Sequence, residues 1–228
     1  MIPLRDSTRS RSVPFVNTLL IAVNVAVFAL ELGMSPAGLE RFFLTFGVVP
    51  ARYLTGGRID MLAVASNATP LVTAAFIHAG WLHLLGNMLY LWVFGDNIED
   101  RLGHAGYALF YVATAVLSNA AHIAANPTSL IPTVGASGAV AGVLGAYLLL
   151  FPGARVLALV PIGFLFITEV PAVLFLFVWF LQQLLNGIAA LGAPASVGGG
   201  VAWWAHIGGF VSGMALVTMF APARRRNS

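Results

Sequence analysis

The chain has 228 residues, of which 59% are hydrophobic and 8% charged, with a formal charge of +3 from eleven basic and eight acidic side chains. A soluble domain of this size could not cover so much apolar surface, and with no cysteine in the chain there is neither a disulfide framework nor a thiol nucleophile. The basic residues are all arginine and the formal charge comes largely from the two ends of the chain, which reads as a topology signal of an integral membrane protein; no nucleic-acid partner is expected.

A membrane-crossing helix needs about 20 mostly apolar residues, fewer where it starts inside a protein-lined cavity. Six segments meet that requirement. Residues 1–14, with "RDSTRSRS", read as a cytoplasmic N-terminal segment, and the first span follows at 15–32 without the small-residue cleavage site of a signal peptide. The connection 33–80, with "LERFFLTFGVVPARYL", predicts short amphipathic pieces lying in the outer interface. Spans two, three and four fall at 81–95, 105–125 and 136–151. The apolar stretch 156–168 is bracketed by Arg155 and Glu169 and interrupted by Pro161, so it reads as an interfacial or re-entrant lead-in, with Glu169 at a helix boundary. A fifth span at 171–190 and a sixth at 202–220 complete a membrane domain over 15–220, followed by a basic tail, 221–228, whose Arg224 to Arg226 run is a cytoplasmic anchor. The expected fold class is an all-α bundle of six transmembrane helices with a long first loop. No repeat of the kind that marks many transporters is present.

With six spans, Arg5, Arg9, Arg11, Arg101, Arg155, Arg224, Arg225 and Arg226 share one side and only Arg41, Arg52 and Arg58 the other. The positive-inside rule then places both termini in the cytoplasm.

Spans two, four and six run in the same direction, so their polar residues can be compared for depth. Ser137 lies 14 residues before Phe151, His206 lies 14 before Phe220, and His83 lies 13 before Asp96. At 1.5 Å per residue each sits about 20 Å above the inner boundary of a hydrocarbon core about 30 Å thick. In "HLLGN", His83 and Asn87 are four apart and share a helical face. Gly138 and Gly142 on one helix, and Gly209 and Gly213 on another, form small-residue surfaces that let backbones approach. A serine and a histidine on those helices can then meet. His206 would act as base for Ser137, since a free hydroxyl is a poor nucleophile. First-turn N–H groups at Ser137, with the His83 and Asn87 side chains, would stabilise an oxyanion. No carboxylate is placed to orient the histidine, which makes this a Ser-His dyad set in a wet recess open to the outside.

The stretches "HAGWLHLLGNMLYLWVFGDNIEDRLG", "GASGAVAGVLGAY" and "AHIGGFVSG", in that order, resemble the rhomboid family of intramembrane serine proteases. The resemblance covers nearly the whole chain. It implies Ser137 of the GxSG motif as nucleophile, His206 of AHxxGxxxG as base, and His83 and Asn87 of HxxxN as oxyanion stabilisers. Gly135, Gly138, Gly142, Gly209 and Gly213 would be packing residues near the site, and Glu99 with Arg101 match a structural motif after the second helix. The family's tryptophan–arginine pair in the first loop has no counterpart in "NATPLVTAAFIH". The implied partners are transmembrane protein substrates and membrane lipid, the implied location is a bacterial inner membrane, and no cofactor or metal is implied. The fifth helix, with Pro171, Phe175, Phe177, Trp179 and Phe180, would be a lateral gate beside helix two.

Each element alone has a plainer explanation. GxSG in a Gly/Ala-rich helix is usually packing, and an intramembrane histidine can simply bond a carbonyl. His78 reads as a structural hydrogen-bonder, His104 and His122 as interfacial. A zinc site from His78, His83 and His206 lacks an acidic ligand, and His78 and His83 point apart on a helix. The stronger rival is a non-catalytic protein of the same fold that binds transmembrane clients without cutting them; such a protein would typically lack the serine or the histidine.

Overall fold

The computed structural model describes residues 1–56, 58–162, 164–191 and 201–220; the 221–228 tail with its arginine run lies outside the described residues. Strand β1 (Ile2–Asp6) leads to helix α1 (Phe15–Leu32), which occupies the first expected span. Pro14 offers α1 no side-chain cap. Glu99 supplies one from elsewhere in the chain, accepting from the backbone N–H of Val16 at 2.9 Å and of Asn17 at 2.7 Å. A carboxylate at that end satisfies orphan N–H groups and faces the positive pole of the helix dipole.

The long first connection is built of short pieces. Helix α2 (Pro36–Phe46) opens on Ser35, whose hydroxyl accepts from Gly38 N at 3.2 Å. A single turn at Pro50–Tyr53, the small hairpin β2 (Leu54–Thr55) and β3 (Arg58–Ile59), helices α3 (Met61–Ser66) and α4 (Ala68–Thr73), and a turn at Ala74–Phe76 follow. Buried Val48, Tyr53, Leu71, Ala74 and Ile123 form a satellite core under these pieces. Val48 and Thr133 exchange backbone hydrogen bonds of 2.9 and 2.7 Å, and Asn119 donates to the Leu71 carbonyl at 2.9 Å, so the connection is fixed to the bundle.

Helix α5 (Trp81–Ala125) contains the second and third expected spans, divided at Gly103, where φ is 72° and ψ 162°. Glycine alone adopts that conformation at little cost. The two arms fold back on each other: a Cβ added to Gly95 would lie 2.7 Å from the Tyr107 hydroxyl, although those residues would stand about 18 Å apart on a straight helix. Helix α6 (Ser137–Leu150) is short and apolar, and α7 (Ala172–Ala190) and α8 (Trp203–Phe220) take the places of the last two expected spans.

One expectation is corrected. The stretch between α6 and α7 is not a re-entrant lead-in but an antiparallel hairpin of β4 (Arg155–Ile162) and β5 (Phe164–Pro171), completed by β1 into a sheet of order β1-β4-β5. In register, Ile2 faces Leu159 and Asp6 faces Val156, while Arg155 faces Pro171. Val156, Ala158 and Val160 point inward at alternate positions and are buried, the period of a strand. Glu169 therefore marks no helix boundary. It lies within β5 and accepts from Arg155 Nε at 3.0 Å.

Helices α1, α5, α7 and α8 are long and apolar enough to cross a membrane, and α6 is apolar over 14 residues. Large apolar side chains face outward, Leu82 at 88% and Met219 at 79% exposure among them, as lipid contact requires and water would penalise. The protein is a mostly helical, multi-pass integral membrane protein. At one end of the bundle, Ser12 donates to Asp100 at 2.7 Å and Asn97 donates to Asp6 at 3.0 Å. The N-terminal segment, the α5 bend and the β4–β5 hairpin thus gather at the end that carries Arg5, Arg9, Arg11, Arg101 and Arg155.

Candidate active site

Helices α6 and α8 meet through their glycines. A Cβ on Gly209 would collide with the Gly138 carbonyl oxygen, and one on Gly213 with that of Gly142. The other face of the same α6 glycines is equally close to the second arm of α5, where Ser118 faces Gly138 and Thr114 faces Gly142. Without a hydrophobic force between helices in lipid, such backbone approach is the main source of adhesion. It brings the first turn of α6 beside the first turn of α8.

At that crossing Ser137 Oγ and His206 Nε2 are 2.8 Å apart. Both residues are half-buried, at the ends of the helices where α6 and α8 begin. The other ring nitrogen, Nδ1, is 2.8 Å from Gln183 Oε1 on α7. The indole of Trp179 lies over the imidazole at 6.1 Å and 33°, and Trp203 meets it edge-on at 6.0 Å and 86°.

Gly135 has a different role from the helical glycines. It precedes α6, has φ of +131°, and a Cβ there would stand 2.5 Å from His83 Cε1 and Nε2 and 3.6 Å from Ser137 Oγ. The His83 ring therefore occupies the space that a side chain at 135 would need, next to the serine. Backbone N–H groups in the first turn of α6 have no acceptor within the helix.

Asn87 is placed one turn below His83 but is engaged elsewhere. Its side-chain amide is 3.0 Å from His78 Nε2, which leaves one of its two N–H bonds to serve another acceptor. His78 is buried, lies against His83 at 5.1 Å, and donates its backbone N–H to Glu31 of α1 at 3.2 Å. His122, expected at the interface, is instead buried, with Nε2 2.9 Å from the Thr133 hydroxyl. His104 is exposed at the α5 bend and lies 2.5 Å from Glu99. Among the described residues no group of three His, Asp or Glu side chains is arranged to hold a metal ion.

Sequence reasoning passed over Gln183. The signal for it was the polar pair "QQ" in an otherwise apolar helix, since a polar residue at membrane depth faces a partner by default. Gln182 is exposed and Gln183 is 5% exposed, a distinction that only the packing of α7 against α8 makes. Glu31, buried beside His78, was likewise missed inside a span read for its hydropathy.

A family model described as the Rhomboid domain matches residues 65–223. Rhomboid protein 1, mitochondrial, of Saccharomyces cerevisiae is 30% identical over 145 residues, covering 62% of this chain and 38% of that protein. Rhomboid-like protein 11, chloroplastic, of Arabidopsis thaliana is 42% identical over 71 residues, 31% of this chain and 25% of that one. Rhomboid protease GluP of Bacillus subtilis is 33% identical over 93 residues, 41% of this chain and 18% of that one. The alignments thus span well under half the length of each of these relatives.

Proposed function

This chain belongs to the rhomboid family, and we propose that it is an intramembrane serine endopeptidase that hydrolyses peptide bonds in or near transmembrane segments of other membrane proteins. The observation that carries this reading is the 2.8 Å separation of Ser137 Oγ and His206 Nε2, both half-buried within an apolar bundle. The name of the Bacillus subtilis relative as a protease supports it.

The chemistry follows from the groups present. His206 takes the Ser137 proton as the oxygen attacks the scissile carbonyl carbon, then returns it to the leaving amine. Developing negative charge on the carbonyl oxygen is met by first-turn N–H groups of α6 and by the His83 side chain, with Asn87 adding a donor through its free N–H. Water then attacks the acyl-enzyme with His206 again as base, releasing the acid and restoring the serine. A helical peptide bond is shielded by its own hydrogen bonds, so the substrate must unwind locally at the site. The arginine bias, through the positive-inside rule, supports a cytoplasmic location for both termini, and a bacterial inner membrane is the proposed location.

The test is labelling of the detergent-solubilised protein with a serine-directed fluorophosphonate, alongside cleavage of a transmembrane substrate. Ser137→Ala should abolish both, and His206→Ala should lower both by about 10²–10⁴-fold, the contribution of a general base. Labelling that persists in Ser137→Ala removes the nucleophile assignment. A wild-type protein that neither labels nor cleaves a panel of transmembrane clients, yet binds them, is a non-catalytic member of the family.

A further inference from the structure

We infer that Gln183 on α7 is a positioning residue that fixes the proton of His206 on Nδ1, leaving Nε2 as an acceptor that can only receive the Ser137 hydroxyl proton. The catalytic meaning of this rests on the reading proposed above; the tautomer itself does not.

The assignment follows from a chain of groups whose donor and acceptor roles are not free. The backbone carbonyl of Trp179 can only accept, and it lies 3.1 Å from Gln183 Nε2, one turn earlier on the same helix. That contact sets which way the amide faces, so Oε1 is the atom directed at His206 Nδ1, 2.8 Å away. An amide oxygen carries no proton, hence the hydrogen in this contact belongs to Nδ1. A neutral imidazole has one N–H, so Nε2 presents its lone pair to Ser137 Oγ at 2.8 Å, and the hydroxyl must be the donor. Gln183 is 5% exposed, which keeps water from substituting for it. Trp179 and Trp203 limit rotation of the ring about its axis.

This supplies the third group that nucleophile–base pairs generally need, in the form of a neutral acceptor. No carboxylate contacts His206 among the described residues. Because Gln183 and Trp179 both ride on α7, while Ser137 and His206 sit on helices locked through glycines, the state of the base depends on where α7 sits.

The experiment uses the full-length protein labelled with ¹⁵N-histidine, the His206 signals being assigned by their loss in His206→Asn. Wild type should show a protonated Nδ1 and an unprotonated Nε2. In Gln183→Leu the single tautomer should give way to a mixture, and in Gln183→Glu, which keeps an acceptor, it should persist. In substrate cleavage, Gln183→Leu should lower kcat by about 10²-fold with KM little changed, and Gln183→Glu should recover most of the loss. A wild-type proton on Nε2, or a Gln183→Leu spectrum equal to wild type, overturns the inference. So do equal kcat losses in the Leu and Glu variants with matching drops in thermal midpoint, which would make Gln183 a packing residue. If the chain proves to cleave nothing, the nitrogen signals still decide the tautomer, so failure of the protease reading and failure of this one are separable.

Discussion

Gly135 shows how much a single missing side chain decides. Its φ of +131° is one that L side chains rarely adopt, and His83 fills the place of its absent Cβ. Gly135→Ala should cost about 1–3 kcal/mol from backbone conformation alone. It should also displace His83 from beside Ser137 and lower the rate of fluorophosphonate labelling by about 10²-fold, since misplacement of about 1 Å is enough for that. Gly153→Ala, where a Cβ meets nothing within 4 Å, should label at the wild-type rate. The measurement is the labelling time course of the three proteins. Asn87 teaches the converse: its spacing from His83 was legible in the sequence, but the hydrogen bond it makes to His78 depends on how the preceding loop folds.

Among the elements, the sheet is the one that hydropathy could not separate from a short buried helix. An apolar run of that length fits either, and the decision came from pairing with β1 near the start of the chain, where Ile2 faces Leu159. The sheet also seats Asp6 against the end of α6, where the Tyr147 hydroxyl donates to it. Burial raises the Asp6 carboxyl above its ordinary 3.8, the Tyr147 and Thr8 hydrogen bonds offsetting only part of that. A carboxyl whose folded pKa lies above its unfolded one favours folding most when protonated, below about pH 3.8, and that contribution is lost as pH rises through the folded value. The thermal midpoint of Asp6→Asn should therefore decline less than that of wild type as pH is raised from 3.8 toward neutrality. Unfolding followed by intrinsic tryptophan fluorescence across that range checks it.

In the whole molecule, α6, α8 and the second arm of α5 form a rigid centre closed by backbone contacts, whereas α7 is attached mainly by aromatic rings. Phe175 meets Tyr90 at 6.3 Å and Phe94 at 6.1 Å, Phe180 stacks on Phe210 at 4.7 Å, and Phe177 is exposed to lipid at 57%. The lateral gate that the family resemblance implies for α7 against the first arm of α5 is a proposal that this aromatic contact makes testable. The chain has no cysteine, so a cysteine pair replacing Tyr90 and Phe175 would be its only thiols. Bridging that pair with a bifunctional thiol reagent should slow cleavage of a transmembrane substrate at least about tenfold while a small fluorophosphonate still labels Ser137, and each single-cysteine protein treated alike should cleave at its untreated rate. Equal cleavage by the bridged and untreated double variants would remove the gate.

The apolar runs, the arginine bias and the common depth of His83, Ser137 and His206 were all determined by the sequence, because hydropathy and helical rise are local quantities that can be counted along the chain. The tertiary structure alone decided that Gln183 and not Gln182 reaches His206, that Asn87 turns to His78, that Glu99 caps α1 and that the stretch before α7 is a hairpin. Each of these is the choice of a partner for a polar group or a strand edge. Such a choice depends on which faces are opposed after packing, a property of the assembled bundle that no local pattern contains.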